Sequence, residues 1–240
     1  MSTISPKQYI AIIPAAGVGQ RMGADRPKQY LDCLEQPMIW HTLNRFQQCD
    51  WIEKIYVPIS ADDGYWAELM AGQLSKVEAL IGGDSRAESV VQGLVAAQNQ
   101  HQTDSWVLVH DAARPCLSVN DLERIHDCIE SANTESFDGL ILADKVHDTV
   151  KKSDSNGCIQ STEDRSLLWR AQTPQVFQLG RLLEALQQAD LQKVTDEASA
   201  VEMLGDKPLL LQGDSRNIKV TTAQDLTMAE IIIQQQEQSL

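Results

Sequence analysis

Residues 9–30 of this chain read "YIAIIPAAGVGQRMGADRPKQY" and join an apolar segment to a loop rich in glycine. The apolar residues 9–13 have the length and composition of a buried β-strand. The loop that follows carries the cationic side chains Arg21, Arg26 and Lys28, although the chain as a whole has a net charge of −14. Flexible backbone and local positive charge directly after a strand are typical of a site that binds phosphate groups.

Outward from this stretch, short apolar runs alternate with segments of helical period. Residues 38–48 and 87–98 show the helical spacing, and a last helix is predicted to begin near Thr222. This alternation predicts an α/β fold with a Rossmann-like, mainly parallel sheet flanked by helices on both faces. The six predicted strands are residues 9–14, 54–59, 77–82, 106–111, 139–143 and 208–213.

Three sequence pairs have the spacing of a helix N-terminal cap, in which a Ser or Thr precedes an acidic residue by three positions. Each pair predicts the start of a helix. The pairs are Ser85 with Glu88, Ser118 with Asp121, and Thr222 with Asp225.

Residues 144–163 interrupt the alternation with a polar, weakly patterned sequence. The Asn156-Gly157 pair within them is a strong turn signal, so we predict a β-hairpin. A hairpin of this composition buries little apolar surface against its own domain. Two interpretations stay open from the residues alone: a mobile surface excursion, which they slightly favour, and an arm that packs on another subunit.

The composition excludes several classes of protein. An acidic chain of 240 residues lacks the basic face that a nucleic-acid-binding protein needs, whereas a few focused cations suffice for a small phosphorylated ligand. The five cysteines form no C-x-x-C pair, which favours reduced thiols in the cytoplasm. No signal peptide is visible before Tyr9, and no apolar run approaches the roughly 20 residues that span a bilayer. We therefore expect a soluble, cytoplasmic protein.

The loop itself can be compared with three known types of phosphate-binding loop. A Walker A motif requires Gly-Lys-Ser/Thr, but Gly23 is followed by Ala-Asp. The dinucleotide fingerprint requires a G-x-G-x-x-G spacing, and the glycines here, Gly17, Gly19 and Gly23, are one residue too far apart. The third type is G-x-G-x-R-M followed by P-K, which residues 17–22 and 27–28 match.

This third pattern resembles the signature of nucleotidyltransferases that activate sugars, and the resemblance extends along nearly the whole chain. As an ordered set, the motifs are highly specific and resemble those of the 2-C-methyl-D-erythritol 4-phosphate cytidylyltransferase family of the non-mevalonate isoprenoid pathway. The further motifs are "PKQY" (27–30), "GGDSRAESV" (82–90), "VHDAARP" (109–115), "DT" (148–149), "TPQ" (173–175), "TDEASA" (195–200) and "NIKVT" (217–221).

The resemblance implies a reaction in which CTP and methylerythritol phosphate give the CDP-alcohol and pyrophosphate. It also implies one nucleotidyltransferase domain over residues 1–240, dependence on Mg²⁺, and a homodimer formed through the arm. The attacking phosphate is already largely dianionic at neutral pH, so no general base is required. Charge stabilisation and positioning are expected to supply catalysis.

The site residues that the resemblance implies fall into three groups. Arg21, Lys28 and Lys219 are expected to stabilise charge on the reacting phosphates, and Asp111 is expected to bind Mg²⁺. The CTP-binding set is Ala15, Ala16, Gly17, Gly19, Arg21, Lys28, Gly82, Asp84, Arg86, Ser89, Asp111 and Ala112. The set for methylerythritol phosphate is Arg114, Thr149, Arg165, Thr173, Thr195 and Lys219, of which Thr149 and Arg165 serve a neighbouring subunit.

Each assignment has a structural alternative. Lys28 and Lys219 are of a type that is usually a solvated surface cation. For Asp111 the less favoured alternative is the cap of a turn, and for Thr195 the alternative is the cap of the next helix. Two alternative functions also stay open: a ribitol-5-phosphate cytidylyltransferase, which shares the CTP half of the site, and a nucleotide-binding regulatory protein that has lost catalysis.

Overall fold

A seven-stranded sheet forms the centre of the protein in this computed structural model, which describes residues 7–17, 26–70, 72–132 and 137–238. Its strands are β1 (Tyr9–Ile12), β4 (Ile52–Ile59), β5 (Val77–Ile81), β6 (Trp106–Val109), β7 (Leu140–Lys145), β10 (Trp169–Gln178) and β11 (Leu209–Gln212). The strand order is β11-β7-β10-β6-β1-β4-β5, and all neighbours are parallel except β10, which is antiparallel to both β6 and β7. The predicted Rossmann-like, mainly parallel sheet is confirmed.

Helices cover both faces of this sheet because successive strand residues point to opposite sides. The helices are α1 (Met38–Gln47), α2 (Trp66–Leu69), α3 (Arg86–Gln98), α4 (Val119–Ser131), α5 (Leu179–Gln188), α6 (Glu197–Met203) and α7 (Ala223–Glu237). Residues Tyr9 and Ala11 of β1 lie in the cluster packed against α1 and α4, whereas Ile10 and Ile12 lie in the cluster packed against α3, α5 and α6.

The start of α3 lies beside the candidate site. Ser85 and Glu88 form the predicted capping box, which satisfies backbone N–H groups at the helix start. Along the same helix, a Cβ added at Gly93 would come within 2.8 Å of Ile12 Cγ2. Glycine therefore allows α3 to approach β1 closely, and this approach fixes the position of the helix.

The other two predicted caps are also present. The Thr222 side chain accepts a hydrogen bond from the Asp225 N–H within a complete capping box at the start of α7. The Ser118 side chain accepts from the Asp121 N–H at the start of α4.

Strand β10 was not among the predicted strands, and its sequence explains why. The segment "WRAQTPQVFQ" is largely polar, and Pro174 within it argues against a central strand because proline has no N–H to donate. The structure accommodates the proline by breaking the register between Ala171 and Gln175. A strand in the middle of the sheet is thus interrupted at the point where its side chains line the site described below.

The predicted hairpin is present as β8 (Lys151–Ser153) and β9 (Ile159–Thr162), which are fully exposed. Gly157 has a positive φ of 81°, as the predicted turn requires. The excursion begins later than residue 144, because β7 extends to Lys145.

Two further findings concern the whole described chain. Within the described ranges, no helix combines the length and the apolar character needed to cross a membrane. None of the five cysteines is paired in a disulfide bond.

A short hairpin of β2 (Asp32–Cys33) and β3 (Gln36–Pro37) precedes α1.

Candidate active site

Loops that leave the carboxyl ends of three parallel strands, β1, β5 and β6, meet at one edge of the sheet. This edge is where open α/β sheets bind ligands. Here the loops enclose a pocket, called the first pocket, together with side chains from α3 and from residues near the last helix. Its lining is Pro14, Ala15, Ala16, Gly17, Lys28, Gln29, Gly83, Asp84, Ser85, Arg86, Ser89, Asp111, Ala112, Ala113 and Lys219.

Gln29 fixes the start of the glycine-rich loop. It is buried, and its Nε2 donates to the carbonyl oxygens of Ala15 at 2.6 Å and Gly17 at 3.0 Å. The adjacent Lys28 begins a 3-10 turn, and its Nζ donates to the carbonyl oxygen of Val220 at 3.2 Å. The two residues therefore connect the loop after β1 to the segment that carries Lys219. Sequence reasoning assigned no role to Gln29, although it lies within the "PKQY" motif.

Ser89 fixes the opposite wall of the first pocket. Its buried hydroxyl accepts from the Gly83 N–H at 3.1 Å and donates to the Ser85 carbonyl at 2.9 Å. A Cβ added at Gly82 would lie 2.8 Å from this hydroxyl oxygen. Gly82 is therefore needed for close packing behind the wall, and Gly83 rather than Gly82 lines the pocket.

A second pocket adjoins the first on the side of β10 and α6. Three side chains, Arg86, Asp111 and Lys219, line both pockets and form the border between them. A ligand in either pocket would therefore meet the same charged groups. The other lining residues of the second pocket are Arg114, Ala171, Gln172, Thr173, Gln175, Thr195 and Asp196.

Asp111 is the centre of the border. Its Oδ1 accepts from Arg86 Nε at 2.8 Å, and its Oδ2 lies 2.8 Å from Lys219 Nζ and 3.7 Å from Arg114 Nε. Burial alone would raise the pKa of Asp111, but the charges of Arg86 and Lys219 outweigh burial and hold the pKa well below its usual range. The carboxylate is therefore ionised throughout the neutral range of pH.

Glu197 binds the other end of Arg86. Its Oε1 lies 2.6 Å from Arg86 Nη1, and its Oε2 accepts from Nη2 at 3.0 Å. Burial alone would lower the pKa of Arg86, but Glu197 and Asp111 together raise it above its ordinary value. Glu197 was also missed by sequence reasoning, although the "TDEASA" motif contains it. A carboxylate at the start of a helix normally indicates a solvated first turn, so the local pattern gave no signal of burial.

His110 supports the border from beneath and is fully buried. Its Nε2 lies 3.1 Å from the Arg114 carbonyl oxygen, which only accepts, so Nε2 carries the proton. Burial lowers the pKa of His110 to about 4, so Nδ1 is unprotonated and accepts from the Thr173 hydroxyl at 2.9 Å. That hydroxyl also accepts from the Asp111 N–H at 3.1 Å. In this arrangement the Thr173 hydroxyl proton points at His110.

Asn217 closes this group into a ring of hydrogen bonds. Its Nδ2 donates to the Thr173 carbonyl at 2.8 Å, and its own carbonyl accepts from Arg114 Nη1 at 2.7 Å. The ring of His110, Thr173, Asn217 and Arg114 thus ties the end of β6 to β10 and to the "NIKVT" segment. It holds Arg114 at the wall of the second pocket.

The structure brings most of the predicted site residues together. Of the predicted residues, the first pocket includes Ala15, Ala16, Gly17, Lys28, Asp84, Arg86, Ser89, Asp111, Ala112 and Lys219, and the second adds Arg114, Thr173 and Thr195.

Three predicted residues lie apart from both pockets. Gly82 lies behind the wall, as described above. Thr149 and Arg165 are exposed and flank the hairpin, where Arg165 Nη1 contacts the His147 carbonyl. The predicted residues Gly19 and Arg21 lie outside the described part of the chain.

The donor groups of the first pocket can be tested against a magnesium ion. Among the residues that the structure describes, no group of three or more His, Cys, Asp or Glu side chains could hold a metal. Magnesium, however, is commonly bound by one or two carboxylates together with substrate phosphates and water. Asp111 is an ionised carboxylate that lines the pocket, so the residues fit a magnesium ion that takes its other ligands from a bound triphosphate.

Comparison with known proteins agrees with this geometry. The sequence model of the 2-C-methyl-D-erythritol 4-phosphate cytidylyltransferase (IspD) family matches residues 9–235. An enzyme of that name from Dechloromonas aromatica is 47% identical over 230 residues, which cover 95% of this chain and 98% of the relative. Another enzyme of that name, from Tolumonas auensis, is 46% identical over 231 residues, which cover 95% of this chain and 98% of the relative.

Solved structures give the same result. The crystal structure of the Francisella tularensis 2-C-methyl-D-erythritol 4-phosphate cytidylyltransferase has a TM-score of 0.80 and 34% sequence identity, covering 94% of this chain and all of that one. A crystal structure of a 4-diphosphocytidyl-2C-methyl-D-erythritol synthase has a TM-score of 0.82 and 37% identity, covering 95% of this chain and 100% of that one. The chain therefore belongs to the 2-C-methyl-D-erythritol 4-phosphate cytidylyltransferase (IspD) family.

Proposed function

We propose that this protein transfers CMP from CTP to 2-C-methyl-D-erythritol 4-phosphate and releases pyrophosphate, as a step of isoprenoid precursor biosynthesis. Family membership supports the reaction. The observation that carries it is the shared border of Arg86, Asp111 and Lys219 between two adjoining pockets. Two anionic substrates bound in these pockets would meet across a cluster of charged side chains.

The first pocket suits the nucleotide. Its lining after β1 and β5 consists mainly of small residues and backbone, which can approach a flat cytosine closely and read its edge. Lys28 lies at the same pocket and is suited to the triphosphate. We assign Gly19 and Arg21 to the triphosphate as well, on their place in the motif.

In the reaction, an oxygen of the methylerythritol phosphate forms a bond to the α-phosphorus of CTP. The bond from that phosphorus to the oxygen bridging the β-phosphate breaks, and the electron pair leaves with pyrophosphate. Lys28 and Lys219 stabilise the charge that accumulates on the reacting phosphates, because both line the first pocket. No residue needs to remove a proton, since the attacking phosphate is already a dianion.

Asp111 would hold the magnesium ion, which supplies further charge neutralisation on the triphosphate when bound. The low pKa of Asp111 keeps this carboxylate ready as a ligand without prior deprotonation. Arg86 holds one of its oxygens at 2.8 Å and so fixes its orientation.

The second pocket suits the polyol phosphate. Arg114 and Lys219 supply cationic donors there, and Thr195 supplies a hydroxyl group. We assign Thr173 to this pocket too, although its hydroxyl proton is bonded to His110. Thr173 can then contribute its hydroxyl oxygen, as a hydrogen-bond acceptor, or its backbone groups.

We also propose that the protein is a homodimer formed through the arm, which we define as residues 146–163. The arm and its flank expose two large apolar side chains, Ile159 at 66% and Leu167 at 82%. Thr149 and Arg165 are exposed in the same region, away from both pockets. An arm that crosses to a partner subunit would bring these two residues to the partner's second pocket. The unpaired cysteines agree with a location in the reducing cytoplasm.

Deleting residues 150–160 is expected to give a monomer that still binds CTP but no longer binds the polyol phosphate. Sedimentation velocity would measure the mass, and calorimetry would measure both affinities. The substitution Met228→Ser, at a side chain 51% exposed on α7, is the control and should leave the dimer intact. An active monomer after the deletion would refute the role of the arm.

The reaction itself is tested by supplying CTP, Mg²⁺ and a polyol phosphate to the purified protein and measuring pyrophosphate release. We expect release with methylerythritol phosphate and formation of the CDP-alcohol, identified by mass spectrometry. Faster turnover with ribitol 5-phosphate would overturn the proposed substrate. Binding of CTP without release of pyrophosphate from it, whichever polyol phosphate is supplied, would instead indicate a regulatory nucleotide-binding protein.

The pH dependence should be set by the substrate. We expect kcat/KM to fall as the pH drops below about 6, because the attacking phosphate then becomes a monoanion. Asp111 stays ionised in that range since its pKa is held well below the usual value, and His110 is already neutral with a pKa of about 4. A phosphonate analogue with a higher second pKa should move the acid limb upward by the same amount. A limb that does not move would belong to a protein group.

A further inference from the structure

We propose that Glu197 is a positioning residue for this reaction, which acts through Arg86 to hold Asp111 and Lys219 in place at the border of the two pockets. The inference rests on the proposed function and adds a role for a side chain that lines neither pocket. Glu197 is 1% exposed.

All three nitrogens of the Arg86 guanidinium group are used by carboxylates. Nε donates to Asp111 at 2.8 Å, while Nη1 and Nη2 donate to the two oxygens of Glu197 at 2.6 Å and 3.0 Å. The guanidinium group is planar, so this paired contact with Glu197 also sets the direction of Nε. Glu197 therefore determines where Arg86 presents its remaining donor to Asp111.

Glu197 is itself held on a fixed element. It is the first residue of α6, whose capping residue Asp196 forms a reciprocal capping box with Ser199. The Gln175 amide spans from β10 to this helix start, donating to Asp196 at 2.8 Å and accepting from the Ala198 N–H at 2.8 Å. The carboxylate of Glu197 is thus positioned from the central sheet, as a support for a reacting site requires.

The negative charge of Glu197 also affects how Arg86 interacts with bound phosphate groups. Glu197 neutralises Arg86 on the side away from Asp111, so the guanidinium group is retained rather than released to an anionic ligand. Without that carboxylate, Arg86 could turn toward a bound triphosphate, or pair with both oxygens of Asp111 and displace Lys219 from its 2.8 Å contact. Either movement would leave nucleotide binding intact or stronger while misplacing the groups that act on the reacting phosphates.

The substitution Glu197→Gln tests this directly, because glutamine keeps the shape and removes the charge. We expect kcat to fall by at least about tenfold, while the dissociation constant for CTP does not rise, an effect of the size seen for residues that support a metal ligand. Glu202→Gln is the matched control, since Glu202 lies on the same helix and is exposed. A merely structural role would instead weaken CTP binding and lower kcat together.

A double-mutant cycle with Arg86→Gln separates action through Arg86 from an independent effect. We expect the effect of Glu197→Gln on kcat to disappear in the Arg86→Gln background. Arg86→Gln alone leaves a buried carboxylate unpaired and is expected to lower the melting temperature, which the double variant should restore in part. Additive losses of kcat would overturn the proposal.

Glu197→Asp provides a second test if either neutral variant fails to fold. Aspartate keeps the charge but is one methylene shorter, so it cannot place both oxygens on Arg86 as Glu197 does. We expect a fall in kcat with unchanged CTP affinity, and turnover equal to wild type would overturn the inference. Failure of the proposed function is distinguishable, because the wild-type protein would then release no pyrophosphate with methylerythritol phosphate.

Discussion

The Lys28→Ala variant is expected to lower kcat by about 100- to 1,000-fold while CTP affinity falls by less than about tenfold. Lys28 lines the first pocket, and its Nζ is held by the Val220 carbonyl at 3.2 Å. A cation held in place there contributes most when negative charge accumulates on the reacting phosphates. The loss should therefore fall on the chemical step rather than on nucleotide binding.

Single-turnover kinetics would measure the chemical step, and calorimetry with CTP would measure binding. Lys54→Ala is a suitable control, because Lys54 forms a surface ion pair with Glu78 at 2.8 Å, and neither residue lines the first or second pocket. It should leave turnover unchanged. Equal turnover of Lys28→Ala and the wild type would remove Lys28 from the mechanism, and weaker CTP binding with an unchanged kcat would make it a simple binding residue.

Asp111→Asn is expected to abolish most activity, with a loss of about 1,000-fold in kcat/KM. The substitution removes the candidate magnesium ligand and the counter-charge of three cations at once. Arg86, Arg114 and Lys219 would then face one another across the border without a carboxylate between them. We therefore expect a lower melting temperature as well, measured by calorimetry.

The loss should not be recovered by raising the magnesium concentration, since the charge imbalance stays. Asp206→Asn is the control: Asp206 also pairs with an arginine, Arg181, through both oxygens, and neither residue lines the first or second pocket. Its activity should match that of the wild type. Activity of Asp111→Asn within about tenfold of the wild type would remove Asp111 from the proposed mechanism.

Much of the fold was predictable because its strands are short apolar runs between helical segments. All six predicted strands are present in the sheet, and three predicted helix caps lie at helix starts. Strand β10 was not predictable, because its polar sequence and Pro174 indicate a loop by any local rule. Its place between β6 and β7 depends on pairing with distant strands, which local sequence does not encode.

The candidate site was likewise predictable only in part. Residues that follow strand ends, such as Asp111, come together because parallel strands end at one edge of the sheet. The contact between Arg86 and its supporting partner Glu197 was not predictable, since 111 positions separate the two residues in the sequence. Gln29 and His110 lie within the motifs, but their hydrogen-bond partners could not be predicted either. A hydrogen-bond partner is a property of the folded chain and leaves no periodic signal.

The shared border has a consequence for inhibitors. A compound that joins a nucleotide-like part to a polyol-phosphate-like part would contact Arg86, Asp111 and Lys219 from both sides at once. A variant that escapes such a compound by changing one of these side chains would also impair its own turnover. Resistance would then have to arise at the outer walls, where the two halves of the compound contact different residues.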